Sequence, residues 1–93
     1  MNSKAFIAFA KTKEGEEIAT AGRRAKFSVE VGESRLEFIL ESGLRRQESF
    51  PWLEKFCESF EESKSERPVD YPETRNASYL IGLAREFRKV ENA

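Results

Sequence analysis

Residues Lys26 to Leu40, KFSVEVGESRLEFIL, constrain the fold more than any other stretch of this chain. Phe27, Val29 and Val31 alternate with Ser28 and Glu30, and beyond Gly32 the residues Leu36, Phe38 and Leu40 alternate with Arg35, Glu37 and Glu41. A strand sends successive side chains to opposite faces, so this period of two predicts two half-buried strands. Val31-Gly32-Glu33-Ser34 supplies the tight turn that joins them as a hairpin. Ile39 interrupts the polar face, which implies that part of that face is covered or meets a partner.

The rest of the chain is read around this hairpin. The short apolar run Ala5-Phe6-Ile7-Ala8-Phe9-Ala10 precedes a turn-like Lys13-Glu14-Gly15-Glu16 and reads as a strand. Ile18 to Ala21 reads as a short second one. After Ser42-Gly43 the period changes to about 3.6. Ser49 is placed to cap, Pro51 fits a first helical turn where its missing N–H has no partner to lose, and Glu54 suits the positive end of the helix dipole. Trp52, Leu53, Phe56, Cys57 and Phe60 then form one apolar stripe predicted to lie on the sheet. Ser63 to Pro72, with two prolines, reads as the main loop. A second helix is predicted from Glu73 or Thr74 to about Val90, with Ala77, Leu80, Ile81, Ala84 and Phe87 buried. Gly82 inside it costs roughly 1 kcal/mol against alanine, a cost that close approach of another element would explain. The expected fold is α+β: a small antiparallel sheet of three to four strands within residues 4–42, followed by two helices, 50–64 and 73–90, packed on one face. The 93 residues amount to a single domain, 1–93.

Composition narrows the chemistry. Apolar residues at 39% and eight phenylalanines argue for a packed core rather than a disordered chain. With one cysteine, Cys57, and no histidine, an internal disulfide, Ser-His-Asp and Cys-His nucleophilic arrangements and the usual zinc sites are all excluded. Cys57 lies on the apolar stripe and reads as a buried structural thiol. Asp70 is the lone aspartate, and the glutamates fall mainly on wet faces, so no pair of acids is expected to converge for hydrolysis. No phosphate-cradling glycine motif is present, and no metal or cofactor is expected. The start of the chain lacks a secretory pattern and the longest apolar run is far short of a membrane span, so a cytoplasmic protein is expected. Asn76-Ala77-Ser78 matches a glycosylation acceptor that matters only in a secreted protein.

The net charge of −1 divides unevenly, +2 over residues 1–46 and −3 over residues 47–93. A nonspecific nucleic-acid binder is usually far more basic, so any contact with phosphate must be local. The basic pairs Arg23-Arg24, with Lys26 close by, and Arg45-Arg46 sit at predicted strand ends. Hairpin pairing is expected to bring both to the edge of the sheet remote from Gly32, near Phe50 and Trp52, where four guanidinium groups could grip phosphates. The competing expectation is a solvated surface on which they pair with Glu14, Glu16, Glu17 or Glu48. Trp52 and Tyr71 are the aromatics least firmly tied to the core, each able to stack on a base or to pin its own segment.

Two likenesses bear on function. Leu80-Ile81-Gly82-Leu83-Ala84-Arg85 superficially resembles the start of a LAGLIDADG homing-endonuclease helix, but Arg85 and Phe87 stand where that family needs acids. Pro51-Trp52-Leu53-Glu54-Lys55-Phe56, followed by Asp70-Tyr71-Pro72 and Arg75-Asn76, resembles the opening of the N-terminal DNA-binding domain of McrB-type methylcytosine-dependent restriction GTPases. That resemblance covers about a quarter of the chain and implies a small DNA-reading module of a restriction or defence system. In that family the strands follow this helix, whereas here they precede it, so no functional residue carries over. The expected function is a noncatalytic nucleic-acid-binding module, with DNA as partner, using Arg23, Arg24, Lys26, Arg45 and Arg46. The alternative is a protein-interaction or regulatory domain that uses the free sheet face around Ile39 or the acidic helix from Glu54 to Glu62.

Overall fold

The computed structural model describes residues 1–92. The hairpin forms as the alternation requires: β2 (Lys26–Val31) pairs antiparallel with β3 (Arg35–Leu40), with Phe27 opposite Leu40 and Val29 opposite Phe38. Two further strands complete a meander in the order β1-β2-β3-β4: β1 (Ile18–Ala19) beside β2, and β4 (Arg45–Ser49) beside β3. Three helices, α1 (Ser3–Thr12), α2 (Phe50–Ser63) and α3 (Ala77–Glu91), pack with the sheet in an α+β domain, and a short 3-10 turn spans Pro68–Asp70. Phe27, Val29, Leu36 and Phe38 are buried under the helices, while Lys26, Glu30, Arg35 and Arg45 on the other face are exposed.

The segment predicted as a first strand is a helix. Asn2 caps it, its Oδ1 accepting from the Ala5 N–H at 3.0 Å, and Phe6, Phe9 and Ala10 lie buried at i, i+3 and i+4. A short apolar run fits either period, and three alanines among its six residues favour the helix. The domain is therefore one helix, a sheet and two more helices, and the fourth strand lies outside the predicted 4–42 span. That strand, RRQES, carries no apolar residue, which is why alternation did not reveal it. Its inward positions hold Arg46 opposite Phe38 and Glu48 opposite Leu36.

The second helix starts and ends close to its expected bounds. Ser49 occupies the N-cap position without a side-chain capping bond, and Lys64 closes the helix in the left-handed conformation. Leu53, Phe56, Cys57 and Phe60 are buried as the stripe predicts, but Trp52 is not. The third helix begins later than expected, because residues 73–76 form a turn held by side chains.

One face of α3 grips the backbone of the β1 strand and the two residues after it. Ser78 O accepts from the Ala21 N–H at 2.9 Å, and Arg85 donates to Thr20 O at 3.3 Å and Ala21 O at 2.7 Å while its Nε pairs with Glu66 at 3.0 Å. Gly82 lies between them on the same face; a Cβ there would collide with the carbonyl oxygen of Ala19 and come within 3.3 Å of the Phe27 ring. The glycine is a packing feature, as its sequence context implied. Gly82→Ala is expected to destabilise the domain by about 3 kcal/mol despite alanine's better helix propensity, because the obstacle is backbone and overpacking cannot be relieved by a rotamer change. Gly22→Ala, with nothing within 4 Å, should stay within about 0.5 kcal/mol, and chemical denaturation of the two variants checks both.

Candidate functional site

The strand geometry of β4 separates the two adjacent arginines. Arg45 points to the open face, where its Nη1 lies 2.9 Å from Glu30 Oε1 and 3.3 Å from Glu37 Oε2. Glu30 and Glu37 face each other across β2 and β3, a pairing that repels, and the guanidinium between them offsets it. Its hydrogen bond to Glu30 raises the Arg45 pKa above its ordinary value. Gln47 joins the group, donating to Glu37 Oε1 at 3.2 Å. Arg46 turns to the opposite face, at the margin of the helical layer.

A cleft of about 320 Å³ opens there, between β4, the first turn of α2 and the turn ahead of α3. Its lining includes Arg46, Glu48, Trp52, Glu73, Arg75 and Asn76. The floor is built from polar side chains. Asn76, 5% exposed, donates from Nδ2 to Gln47 O and to Glu48 Oε1, both at 2.8 Å, and Thr74 Oγ1 donates to the same carboxylate oxygen at 2.9 Å. These bonds hold residues 73–76 out of the helix and occupy a carbonyl on the free edge of β4. Asn76 is thereby engaged inside the protein, where its amide is not presented as a glycosylation acceptor would be. Glu48 is 6% exposed and its Oε2 has no hydrogen-bond partner; neither has Glu73 Oε1.

The walls carry charge and an aromatic ring. Among the described residues the ion-paired arginines are Arg45 and Arg85, which leaves Arg46 and Arg75 without a carboxylate partner. Trp52 is 48% exposed, with the Lys55 ammonium 4.3 Å from its ring centroid. Its place on the α2 surface corrects the expectation that it joins the stripe on the sheet.

The other candidates lie elsewhere. Arg23 and Arg24 are exposed in the turn between β1 and β2, at the same end of the sheet as Arg45 but with β3 intervening, roughly 10 Å across at ordinary strand spacing. Lys26 stands 3.9 Å from Glu17. The cleft thus joins Arg46 with Trp52, borders on Arg45, whose guanidinium is engaged by Glu30 and Glu37 on the open face, and includes none of Arg23, Arg24 or Lys26. Tyr71 is 1% exposed, packed 5.0 Å from Phe56 between ring centroids, with its hydroxyl donating to Ser65 O at 2.6 Å and within 2.9 Å of Ser63 Oγ. It pins the loop after α2 and offers no ring face for a base, which corrects the stacking expectation for this residue. Glu48, Glu73, Arg75 and Asn76 were not singled out from the sequence as site residues, since nothing in their spacing distinguishes them from solvated surface.

Comparison with protein-family models, curated proteins and solved structures returns no match for this chain. No helix among the described residues is long and apolar enough to cross a membrane. Cys57, 1% exposed, has its thiol pushed up to about 12, chiefly by burial. The neutral thiol is favoured in the fold, so this group's contribution is complete below the unfolded thiol's pKa and is lost as pH rises above about 9. Native protein is expected to resist alkylation at about pH 8 and to label only on unfolding. Trp52→Ala should cost no more than about 1 kcal/mol, against about 3 kcal/mol or more for the buried Phe56→Ala, measured by denaturant titration.

Proposed function

We propose that this chain is a noncatalytic nucleic-acid-binding module that takes single-stranded DNA in the cleft beside β4. The observation that carries the reading is the pair of unpaired guanidinium groups, Arg46 and Arg75, lining one cleft with the half-exposed indole of Trp52. Guanidinium forks match phosphate oxygens, and an exposed indole can stack on an unpaired base. Bases in a duplex already stack on one another, which favours a single strand. With a net charge of −1, affinity must come from these local contacts rather than from a long-range field.

A role in restriction or defence draws on the sequence resemblance, part of which, Trp52 and Arg75-Asn76, lies at this cleft. The competing reading is a protein partner on the acidic helix from Glu54 to Glu62 or on the open sheet face around Ile39. That face is laced with the Glu30, Glu37, Arg45 and Gln47 contacts, and the exposed Leu44, Val69 and Val90 lie on separate elements, so an apolar centre of the kind protein interfaces use is not formed there.

Fluorescence anisotropy with labelled single-stranded and duplex DNA tests the proposal. Single strands should bind more tightly, with log affinity falling against log salt at a slope of about −1.4 for two phosphate contacts. Arg46→Ala with Arg75→Ala should remove most of that slope, and Trp52→Ala should weaken binding about tenfold. Arg23→Ala with Arg24→Ala should change little. No binding at low salt would overturn the proposal, and a larger loss from the Arg23/Arg24 variant would move the site to the β1–β2 turn.

A further inference from the structure

A single strand can be held along a track or at one point, and the two demand different surfaces. A track needs successive aromatic rings on which neighbouring bases stack, with basic side chains following the backbone between them. Among the described residues Trp52 is the one exposed aromatic; Phe50 and Tyr79 are partly buried against the core, and the remaining phenylalanines and Tyr71 are buried. The fold therefore offers one stacking platform and no second ring beside it.

The basic side chains are confined in the same way. Arg46 and Arg75, both exposed, line one cleft of about 320 Å³, at the lower end of the roughly 300–1,000 Å³ that small-molecule sites occupy. Outside the cleft the surface gives a phosphate backbone little to follow. Beyond Trp52 and Lys55 the exposed side chains of α2 include Glu54, Glu58 and Glu62, which repel phosphate. On the open face the Arg45 guanidinium is already taken by Glu30 and Glu37, and the Arg23-Arg24 turn lies on the far side of β3.

One stacking ring, two guanidinium groups without a carboxylate and a small cleft set the size of the ligand: one base with the phosphates on either side of it. We infer that the cleft is a point site, complete when it holds one such unit, and that the strand beyond that unit gains no contact with the protein. The inference rests on the single-strand reading above and adds the length of the ligand to it. Domains that coat single strands occupy roughly 4–16 nucleotides each. A point site leaves the neighbouring nucleotides free and takes a short gap or a strand end as readily as a long strand.

Trp52 is the sole tryptophan, so its emission reports the cleft directly. The test titrates that emission with a trinucleotide, a hexanucleotide and a dodecanucleotide of thymidine at one fixed salt concentration. Every length is expected to quench, and the dodecanucleotide should bind only about tenfold more tightly than the trinucleotide, because it offers about ten positions for the central base, whereas a track gains about fivefold or more with each stacked base. Arg46→Ala with Arg75→Ala should weaken the trinucleotide and the dodecanucleotide by the same factor. A dodecanucleotide that binds more than about thirtyfold more tightly than the trinucleotide would overturn the point site while leaving the single-strand reading intact. A loss confined to one length in the arginine variant would do the same. Absence of quenching at every length, or binding seen by anisotropy with no change in Trp52 emission, would overturn both readings.

Discussion

The close approach of α3 to the backbone around β1 is the contact on which the rest of the molecule depends. A two-residue edge strand has little pairing of its own, and it is held because Ser78, Gly82 and Arg85 present one helical face to residues 19–21. Without a side chain at Gly82 the helix reaches the strand's carbonyls, and Arg85 then supplies donors that a buried backbone requires. This seats α3 over Phe27, with Tyr79 against Phe27 and Phe38, and it directs the helix start toward β4 at the far side of the sheet. The position of Asn76 at that start is what closes the turn of residues 73–76 against the edge strand.

At the other edge the sheet ends in a strand without apolar residues. Such a strand is stable because its partners supply the burial: Leu36 and Phe38 form the core beside it, and Asn76 satisfies the Gln47 carbonyl on its free side. An exposed strand edge invites pairing with another chain, and covering part of it with the turn ahead of α3 blunts that tendency. The covering also creates a cleft, since the turn is held by polar side chains rather than packed by apolar ones.

The adjacent arginines illustrate how one backbone conformation divides two like residues. In a helix or loop Arg45 and Arg46 could share a surface, but on a strand they cannot. Arg45 reconciles two facing glutamates on the open side, and Arg46 is left for the cleft. The helix residue Gly82 and the aromatics Trp52 and Tyr71 show a similar dependence on context. Gly82 is explained by packing, Tyr71 by its buried hydroxyl contacts, and Trp52 alone of the two aromatics keeps a face toward solvent.

By itself the sequence determined the parts whose information is local and periodic. The alternation from Phe27 to Leu40 dictated the central hairpin and its buried face, the stripe from Leu53 to Phe60 dictated α2, and the absence of histidine removed whole classes of chemistry. A short run such as Ala5 to Ala10 fits two periods at once, and its helix was decided by the Asn2 cap and by packing against Phe87. Only the tertiary structure revealed β4 and the cleft, because a strand whose inward residues are Arg46 and Glu48 carries no hydrophobic signal. Glu48, Trp52 and Asn76 come together through contacts between residues distant in the chain, and the physical character of such a site, an acceptor buried without a donor beside guanidinium groups without a carboxylate, exists only once those elements meet.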